Sequence, residues 1–186
     1  ATSARRQPGS AFKPVVYLAA LEAGLSPEAR FVDGPVSIAG YSPRNYEGTF
    51  AGEVTLSEAI ARSINTVAVQ VAVQAGLPRV VEMARRLGLG EEFAPEASLA
   101  LGTAEVTLLD LASAYAVLAN GGRRAWPFVI ERITDADGRV IWRRQGEGAE
   151  RLATEAHVRT LTRWLAGAIE HGTGRAAKLD REAAGK

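Results

Sequence analysis

The chain has 186 residues, of which 47% are hydrophobic and 23% charged, a balance that suits one globular domain with its own core and excludes a disordered segment. Its 22 basic residues are matched by 21 acidic ones, the net charge is +1, and no long block of like charges occurs, so the electrostatic footprint of a nucleic-acid-binding protein is absent. The lack of cysteine excludes a disulfide scaffold and a thiolate metal site. His157 and His171 are not at metal-ligand spacing and read as surface helix residues near a helix C-terminus. No apolar run is long enough to span a membrane, and no signal core stands at the N-terminus.

Gly9-Ser10-Ala11 opens an apolar stretch through Val15, Val16, Leu18, Ala19 and Leu21. Its spacing predicts a helix that stops at Gly24, with Pro14 in the first turn, where a missing N–H does little harm. Residues 25–54 are rich in turn formers and are expected to be irregular, with short extended pieces around Phe31-Val32 and Val36-Ser37-Ile38. Thr55-Leu56-Ser57-Glu58 is a capping-box pattern that should start a helix over 56–62. A second helix is predicted over 66–75, closing at Gly76, and a third from Pro78 to just before Gly88. Thr107 with Asp110 should begin another that closes at Asn120-Gly121-Gly122, and Thr154 should cap a helix over 155–170. Between these, Phe128, Ile130, Val140 and Trp142 alternate with their neighbours around the turn Asp135-Ala136-Asp137-Gly138, which predicts a β-hairpin from Pro127 to Arg144. The order is five or six helices, one hairpin and a long irregular loop, without βαβ alternation.

Three short patterns carry chemistry. In Ser10-Ala11-Phe12-Lys13 the hydroxyl and the amine share a helix face. A serine is a weak nucleophile until a base takes its proton, and a lysine can be that base when burial or another cation lowers its pKa. Only Lys13, Lys178 and Lys186 are lysines in a chain that otherwise uses arginine, which does not deprotonate. In Ser63-Ile64-Asn65, at a break between two predicted helices, Ser63 could pass a proton and Asn65 could hold a substrate amide; Asn65 could equally cap the next helix. The third pattern is the terminal Ala184-Gly185-Lys186, uninformative by itself.

Together the three resemble the serine penicillin-binding family, whose signature is Ser-x-x-Lys, then Ser-x-Asn, then Lys-Thr-Gly. The flanks bring the resemblance close to the class A penicillin-binding proteins: Arg6-Gln7-Pro8-Gly9 before the nucleophile, Pro43 to Tyr46 and Ala59-Ile60-Ala61-Arg62 before the second motif, Ser98 to Thr103 with Leu111 to Tyr115, and Gly172-Thr173-Gly174 before the third. The resemblance covers essentially the whole chain. It implies a mainly α part, helices plus a β-hairpin, of the α/β penicillin-binding and β-lactamase-like transpeptidase fold, with the central sheet largely missing. Residues 1–186 would be a partial domain, truncated at both ends, because the motif that begins at Lys186 lacks its Thr-Gly.

The resemblance further implies a peptidoglycan D,D-transpeptidase acting on D-Ala-D-Ala stem peptides and acylated by β-lactam antibiotics. Ser10 would be the nucleophile, Lys13 its activator and Ser63 the proton relay, with Asn65 and Lys186 binding substrate and no metal or organic cofactor. The parent protein would be anchored in the cytoplasmic membrane through a segment absent here, would face the periplasm, and would carry a glycosyltransferase domain. A β-lactamase is the near rival, but its loop should follow Glu96 and Leu99 with an asparagine where Ala100 stands, and its second motif would be Ser-Asp-Asn. A β-lactam sensor would share the three motifs but not the class A flanks. Asp180 to Lys186 lacks the leading glycine of a phosphate-binding loop, and Asp135 to Gly138 has too few carboxylates for a calcium loop.

Overall fold

The apolar run that follows Ser10 becomes the buried centre of the molecule. A computed structural model of the protein describes residues 2–90, 92–125, 127–145 and 150–186. Among these the elements are, in chain order, β1 (Arg5–Arg6), α1 (Lys13–Glu22), β2 (Arg30–Asp33), β3 (Gly52–Thr55), α2 (Leu56–Ala61), α3 (Asn65–Ala75), α4 (Leu77–Arg86), β4 (Val106–Thr107), α5 (Leu108–Ala119), β5 (Arg132–Thr134), β6 (Val140–Arg143) and α6 (Glu155–Glu170). Short 3₁₀ turns cover Gly9–Phe12, Ala97–Leu101 and Arg175–Ala177.

Helix α1 is apolar around its circumference, the pattern of a helix enclosed by others. Val15, Val16, Tyr17, Leu18, Ala19, Ala20 and Leu21 are all buried, and α3, α4 and α6 pack around them. Each fully buried leucine or valine contributes about 1.5–3 kcal/mol, so this helix anchors the core. The expected single helix from Ser10 divides in two. Pro14 has no N–H to return to the Ser10 carbonyl, and that carbonyl instead accepts from the Lys13 N–H, tightening the turn at Gly9–Phe12 to 3₁₀.

The capping box forms in both directions: the Thr55 hydroxyl accepts from the Glu58 N–H at 3.2 Å, and the Glu58 carboxylate accepts from the Thr55 N–H at 2.7 Å. Thr107 caps α5 by accepting from the Asp110 N–H at 3.1 Å. Thr154 precedes α6 as expected, but its side chain makes no capping bond; its N–H instead donates to Glu22 Oε1 at 3.3 Å, tying α6 to α1. Glu22 also pairs with Arg86 of α4.

Within 25–54 the extended piece expected around Phe31-Val32 forms, whereas a strand over Gly52–Thr55 corrects the expectation of irregular chain there. Phe31 and Val32 lie in β2, which pairs antiparallel with β3, Phe31 opposite Val54, and both of those side chains are buried. Strand β3 gave no period-two signal because Val54 is its only large apolar residue. Val36-Ser37-Ile38 forms no strand; Ile38 makes only a bridge to Tyr41. The two-residue ribbon of β1 with β4 was also unforeseen, being too short for any periodicity. The β5–β6 hairpin forms around its expected turn, where Asp135 Oδ1 accepts from the N–H groups of Asp137 and Arg139 at 3.0 and 2.8 Å. Its first arm starts at Arg132 rather than at Phe128, since the partner strand ends at Arg143. Among the described residues no sheet is wider than two strands.

His171 ends α6 and is exposed. His157, expected near a helix C-terminus, lies in the first turns of α6 with a buried Nδ1 that has no hydrogen-bond partner among the described residues. No helix among the described residues is long and apolar enough to cross a membrane.

The Tyr17 hydroxyl is a buried polar group of α1, the central helix. It is unbonded among the described residues, with the Tyr17 ring edge-on to Trp164 at 6.2 Å, and burial raises its pKa. A buried hydroxyl without a partner costs about 1–3 kcal/mol. Tyr17→Phe keeps the ring and removes the orphan, so it is expected to stabilise the protein by about 1 kcal/mol, read as a higher urea midpoint with an unchanged slope; a loss of stability would show that the hydroxyl is bonded.

Candidate active site

The second motif lies where α2 ends and α3 begins, and the local backbone explains its position. Ser63 has φ +59°, in the left-handed region that side chains other than glycine seldom occupy. The Ser63 N–H donates to the Ile60 carbonyl at 3.2 Å and the Ile64 N–H to the Ala59 carbonyl at 2.9 Å. These two bonds form the Schellman ending of a helix, with Ser63 in the place usually taken by glycine. The strain of about 1–2 kcal/mol for a residue with a Cβ is accepted at a position where the hydroxyl and the carbonyl both face a buried amine.

That amine belongs to Lys13, which is 0% exposed. Its Nζ donates to the Ser63 carbonyl at 2.6 Å, to Ser63 Oγ at 3.1 Å and to Asn65 Oδ1 at 2.7 Å. Ser63 Oγ in turn donates to Ser10 Oγ at 3.0 Å. The first and second motifs therefore meet, although fifty residues separate them, and Lys13 reaches Ser10 through Ser63. Ser10 itself is exposed on the 3₁₀ turn, above the buried lysine. Burial, reinforced by the charge of Lys186, pulls the Lys13 pKa down to about 7.

Lys186 joins the same region. Its Nζ donates to Thr173 Oγ1 at 3.2 Å, and burial lowers its pKa to about 8. Thr173 is held beside the second motif because its N–H donates to the Ala61 carbonyl at 3.1 Å. Gly172 permits the approach: a Cβ there would sit 2.2 Å from that carbonyl. A cleft of about 530 Å³ opens over these groups, lined by Ser10, Asn45, Ser63, Asn65 and Thr173 among others. The arrangement can take a proton from an exposed hydroxyl and hold an anion beside it. Among the described residues no cluster of ligating side chains could bind a metal ion.

The family model described as "Penicillin binding protein transpeptidase domain" matches residues 1–186. The chain belongs to this transpeptidase family. It is 39% identical to penicillin-binding protein 1A of Rickettsia typhi over 214 aligned residues, covering 100% of this chain and 27% of that protein. Among solved structures it is similar to penicillin-binding protein 1A from Haemophilus influenzae, with TM-score 0.86 and 28% identity over 98% of this chain and 32% of that one. The D,D-transpeptidase domain of a peptidoglycan glycosyltransferase from Eggerthella lenta shares the fold, with TM-score 0.89 and 23% identity over 100% of this chain and 54% of that one. The chain thus spans about a quarter of the length of the curated relatives it matches.

Within this family member, the capping role considered for Asn65 does not occur: the residue before α3 is Ile64, and Asn65 is the first residue of the helix. Its side chain is committed elsewhere, Oδ1 to Lys13 and Nδ2 to the Arg44 carbonyl at 2.8 Å. The cap comes from a distant loop, where Asn45 Oδ1 accepts from the N–H groups of Asn65 and Thr66 at 3.0 and 3.3 Å. Sequence reasoning quoted Asn45 as part of a flank and gave it no task. Gly102 was treated likewise, yet it seats the turn that carries Ser10. The Gly9 N–H donates to the Gly102 carbonyl at 3.2 Å, and a Cβ on Gly102 would come within 2.2 Å of the Gly9 carbonyl oxygen.

The strain at Ser63 is measurable by comparing two substitutions that delete the same hydroxyl. Ser63→Gly relieves the left-handed backbone and Ser63→Ala does not, so the glycine variant is expected to be more stable than the alanine variant by about 1 kcal/mol in urea denaturation. Equal stabilities would mean that the backbone at Ser63 is unstrained.

Proposed function

We propose that this chain carries the nucleophile of a peptidoglycan D,D-transpeptidase and that Ser10 is the residue acylated. The observation that supports it most is the unbroken line from Lys13 Nζ to Ser63 Oγ to Ser10 Oγ, at 3.1 and 3.0 Å, with the amine's pKa drawn to about 7. Once Lys13 is neutral its lone pair accepts from the Ser63 hydroxyl, which turns to accept from Ser10 in place of donating to it, and a proton passes from Ser10 to Lys13 by way of Ser63. Ser10 Oγ then bonds to the carbonyl carbon of the penultimate D-alanine of a stem peptide. The C–N bond to the terminal D-alanine breaks, and the departing nitrogen receives the proton back through Ser63. An amine of a second stem peptide next attacks the ester, and Ser10 recovers its proton; water in the amine's place would give carboxypeptidase activity. Asn65 orients the acyl amide, Lys186 attracts the terminal carboxylate, and the Ser10 N–H donates to the developing oxyanion. A β-lactam would open its ring on the same hydroxyl and leave slowly.

We also infer that residues 1–186 are the helical, nucleophile-bearing part of a larger domain, that the wide sheet comes from sequence outside it, and that this part alone is inactive. The parent protein is proposed to be a class A penicillin-binding protein, membrane-anchored, working on the outer side of the cytoplasmic membrane, with a glycosyltransferase domain besides.

The test is labelling by a fluorescent penicillin in the full-length protein. Wild type is expected to label covalently and Ser10→Ala to lose the label; undiminished labelling of Ser10→Ala would overturn the assignment. The pH profile follows from the two amines. Acylation should rise through about pH 7 as Lys13 becomes neutral, and fall through about pH 8 as Lys186 loses its charge. Lys186→Met should abolish the alkaline limb and move the acid limb to higher pH, because the Lys186 charge is one of the two causes, after burial, that depress Lys13. An acid limb that stays in place would show that the two amines are not coupled.

A further inference from the structure

The cleft contains a polar group that the reaction scheme leaves without a task. Asp33, at the end of β2, is 3% exposed, too buried to meet substrate, yet it carries three hydrogen bonds. Its Oδ1 accepts from Asn45 Nδ2 at 2.7 Å and from Thr66 Oγ1 at 2.5 Å, and its Oδ2 accepts from the Ala51 N–H at 2.8 Å. A buried carboxylate is expensive unless its lone pairs are satisfied, and these donors satisfy it. Burial pushes its pKa upward, but the bonds from Thr66, Asn45 and Ala51 and the charge of Arg62 outweigh that and hold it below the usual value, so Asp33 stays ionised.

An ionised carboxylate accepts only, and this fixes the direction of its neighbour. Asn45 must turn its NH₂ toward Asp33, where it also donates to the Thr49 carbonyl at 3.0 Å. Its carbonyl oxygen is thereby forced toward the start of α3, where it takes the N–H groups of Asn65 and Thr66. The adjacent Arg44 carbonyl takes the Asn65 side-chain NH₂. One dipeptide, Arg44-Asn45, therefore grips Asn65 by backbone and by side chain. That leaves Asn65 Oδ1 directed at the Lys13 ammonium at 2.7 Å.

We propose that Asn45, oriented by Asp33, is a positioning residue for acyl transfer: it sets Asn65, and through Asn65 the amine of Lys13, in reacting geometry. This rests on the acyl-transfer reading of Ser10 given above. Asn45 makes no hydrogen bond to Ser10 or Lys13, so its effect passes through Asn65. A misplacement of about 1 Å at a reacting group costs about 100-fold in rate, and an unanchored Asn65 should lose part of that. The effect should fall on the acylation step and not on the affinity of the initial complex.

The test uses the full-length protein and stopped-flow acylation by a chromogenic cephalosporin over a range of concentrations, which separates the limiting first-order rate constant from the dissociation constant of the initial complex. The rate constant does not depend on how much of a variant folds. Asn45→Ala is expected to lower it about 10- to 100-fold with less than about a twofold change in the dissociation constant. In a double-mutant cycle, Asn65→Ala combined with Asn45→Ala should be no slower than Asn65→Ala alone, because the second change acts through the residue already removed. Asn45→Asp sets a second carboxylate against Asp33 and should be slower still, whereas Asp33→Asn with Asn45→Asp restores the donor–acceptor pair between the two side chains, though not the bond to the Thr49 carbonyl, and should recover part of the rate lost by Asn45→Asp. Asn45→Ala acylating at the wild-type rate, or additive losses in the cycle, would overturn this inference while leaving the Ser10 reading intact. A wild type that does not acylate would overturn both.

Discussion

A lysine ammonium held out of water beneath a serine is the constraint around which this structure is arranged. An unpaired amine at 0% exposure would be intolerable, and Lys13 survives there because three oxygens of one short segment meet it: the Ser63 carbonyl, the Ser63 hydroxyl and the Asn65 amide oxygen. The carbonyl and the hydroxyl belong to a residue with left-handed backbone, so the backbone strain at Ser63 and the burial of Lys13 occur at one contact. A relaxed, right-handed Ser63 would swing its carbonyl away and leave the charge without its shortest bond. Backbone strain of this kind persists where surrounding structure over-determines it, and here the Schellman bonds on one side and the start of α3 on the other do so.

The scaffold reflects the same requirement. Lys13 is the first residue of α1, the most enclosed helix, and cannot shift without moving the core that α3, α4 and α6 pack against. Ser63 and Asn65 are fixed by helix ends rather than by a free loop. The 3₁₀ turn that exposes Ser10 is seated on Gly102, and the Tyr115 hydroxyl donates to the Ala11 carbonyl at 3.0 Å from α5. The exposed Ser10 hydroxyl and the buried Lys13 amine thus lie on successive turns of one segment, and Ser63 links their side chains, an arrangement that keeps one group open to solvent and the other dry.

The helices were legible in the sequence because each carries its own signal: the capping box at Thr55 and Glu58, the Thr107 cap, Pro14 and Pro78 in first turns, glycines past the ends. Strands β1, β3 and β4 were not, because they are too short or too polar to show alternation, and pairing between residues such as Phe31 and Val54 is decided by tertiary contact. At the site, the motif residues Ser10, Lys13, Ser63, Asn65 and Lys186 could be nominated by residue type and order, but not the route by which they connect. That Lys13 would bond to Ser63 depends on the φ angle of one residue, which propensity does not report for a serine. Asp33 and Asn45 escaped notice for another reason: Asp-to-Asn contacts across twelve residues of turn-rich chain have no periodicity, and their meaning appears only when the start of α3 is seen to lack a cap of its own.

The energetics of the buried amine also bear on how such a site would work. Lys13 has a folded pKa of about 7, below its ordinary 10.5. Below pH 7 it is charged in the folded and unfolded chains alike, and the full cost of burying the charge is present. Between 7 and 10.5 the unfolded chain holds more protons, so this contribution to stability improves as pH rises, and above 10.5 it vanishes. Near neutrality the group therefore stands between its two forms. Lys186 helps to keep it there, since its charge is the second cause of the depression after burial. Under the proposed reaction, a substrate carboxylate bound by Lys186 would offset that charge and raise the basicity of Lys13 at the moment a base is required. The same carboxylate would leave with the terminal D-alanine, whose nitrogen has by then taken the proton back through Ser63, so Lys13 would enter the second half of the reaction neutral and able to accept a proton from the incoming amine. An amine poised by burial and one neighbouring cation can in this way be a stronger base with substrate present than without it, and no movement of the backbone is required.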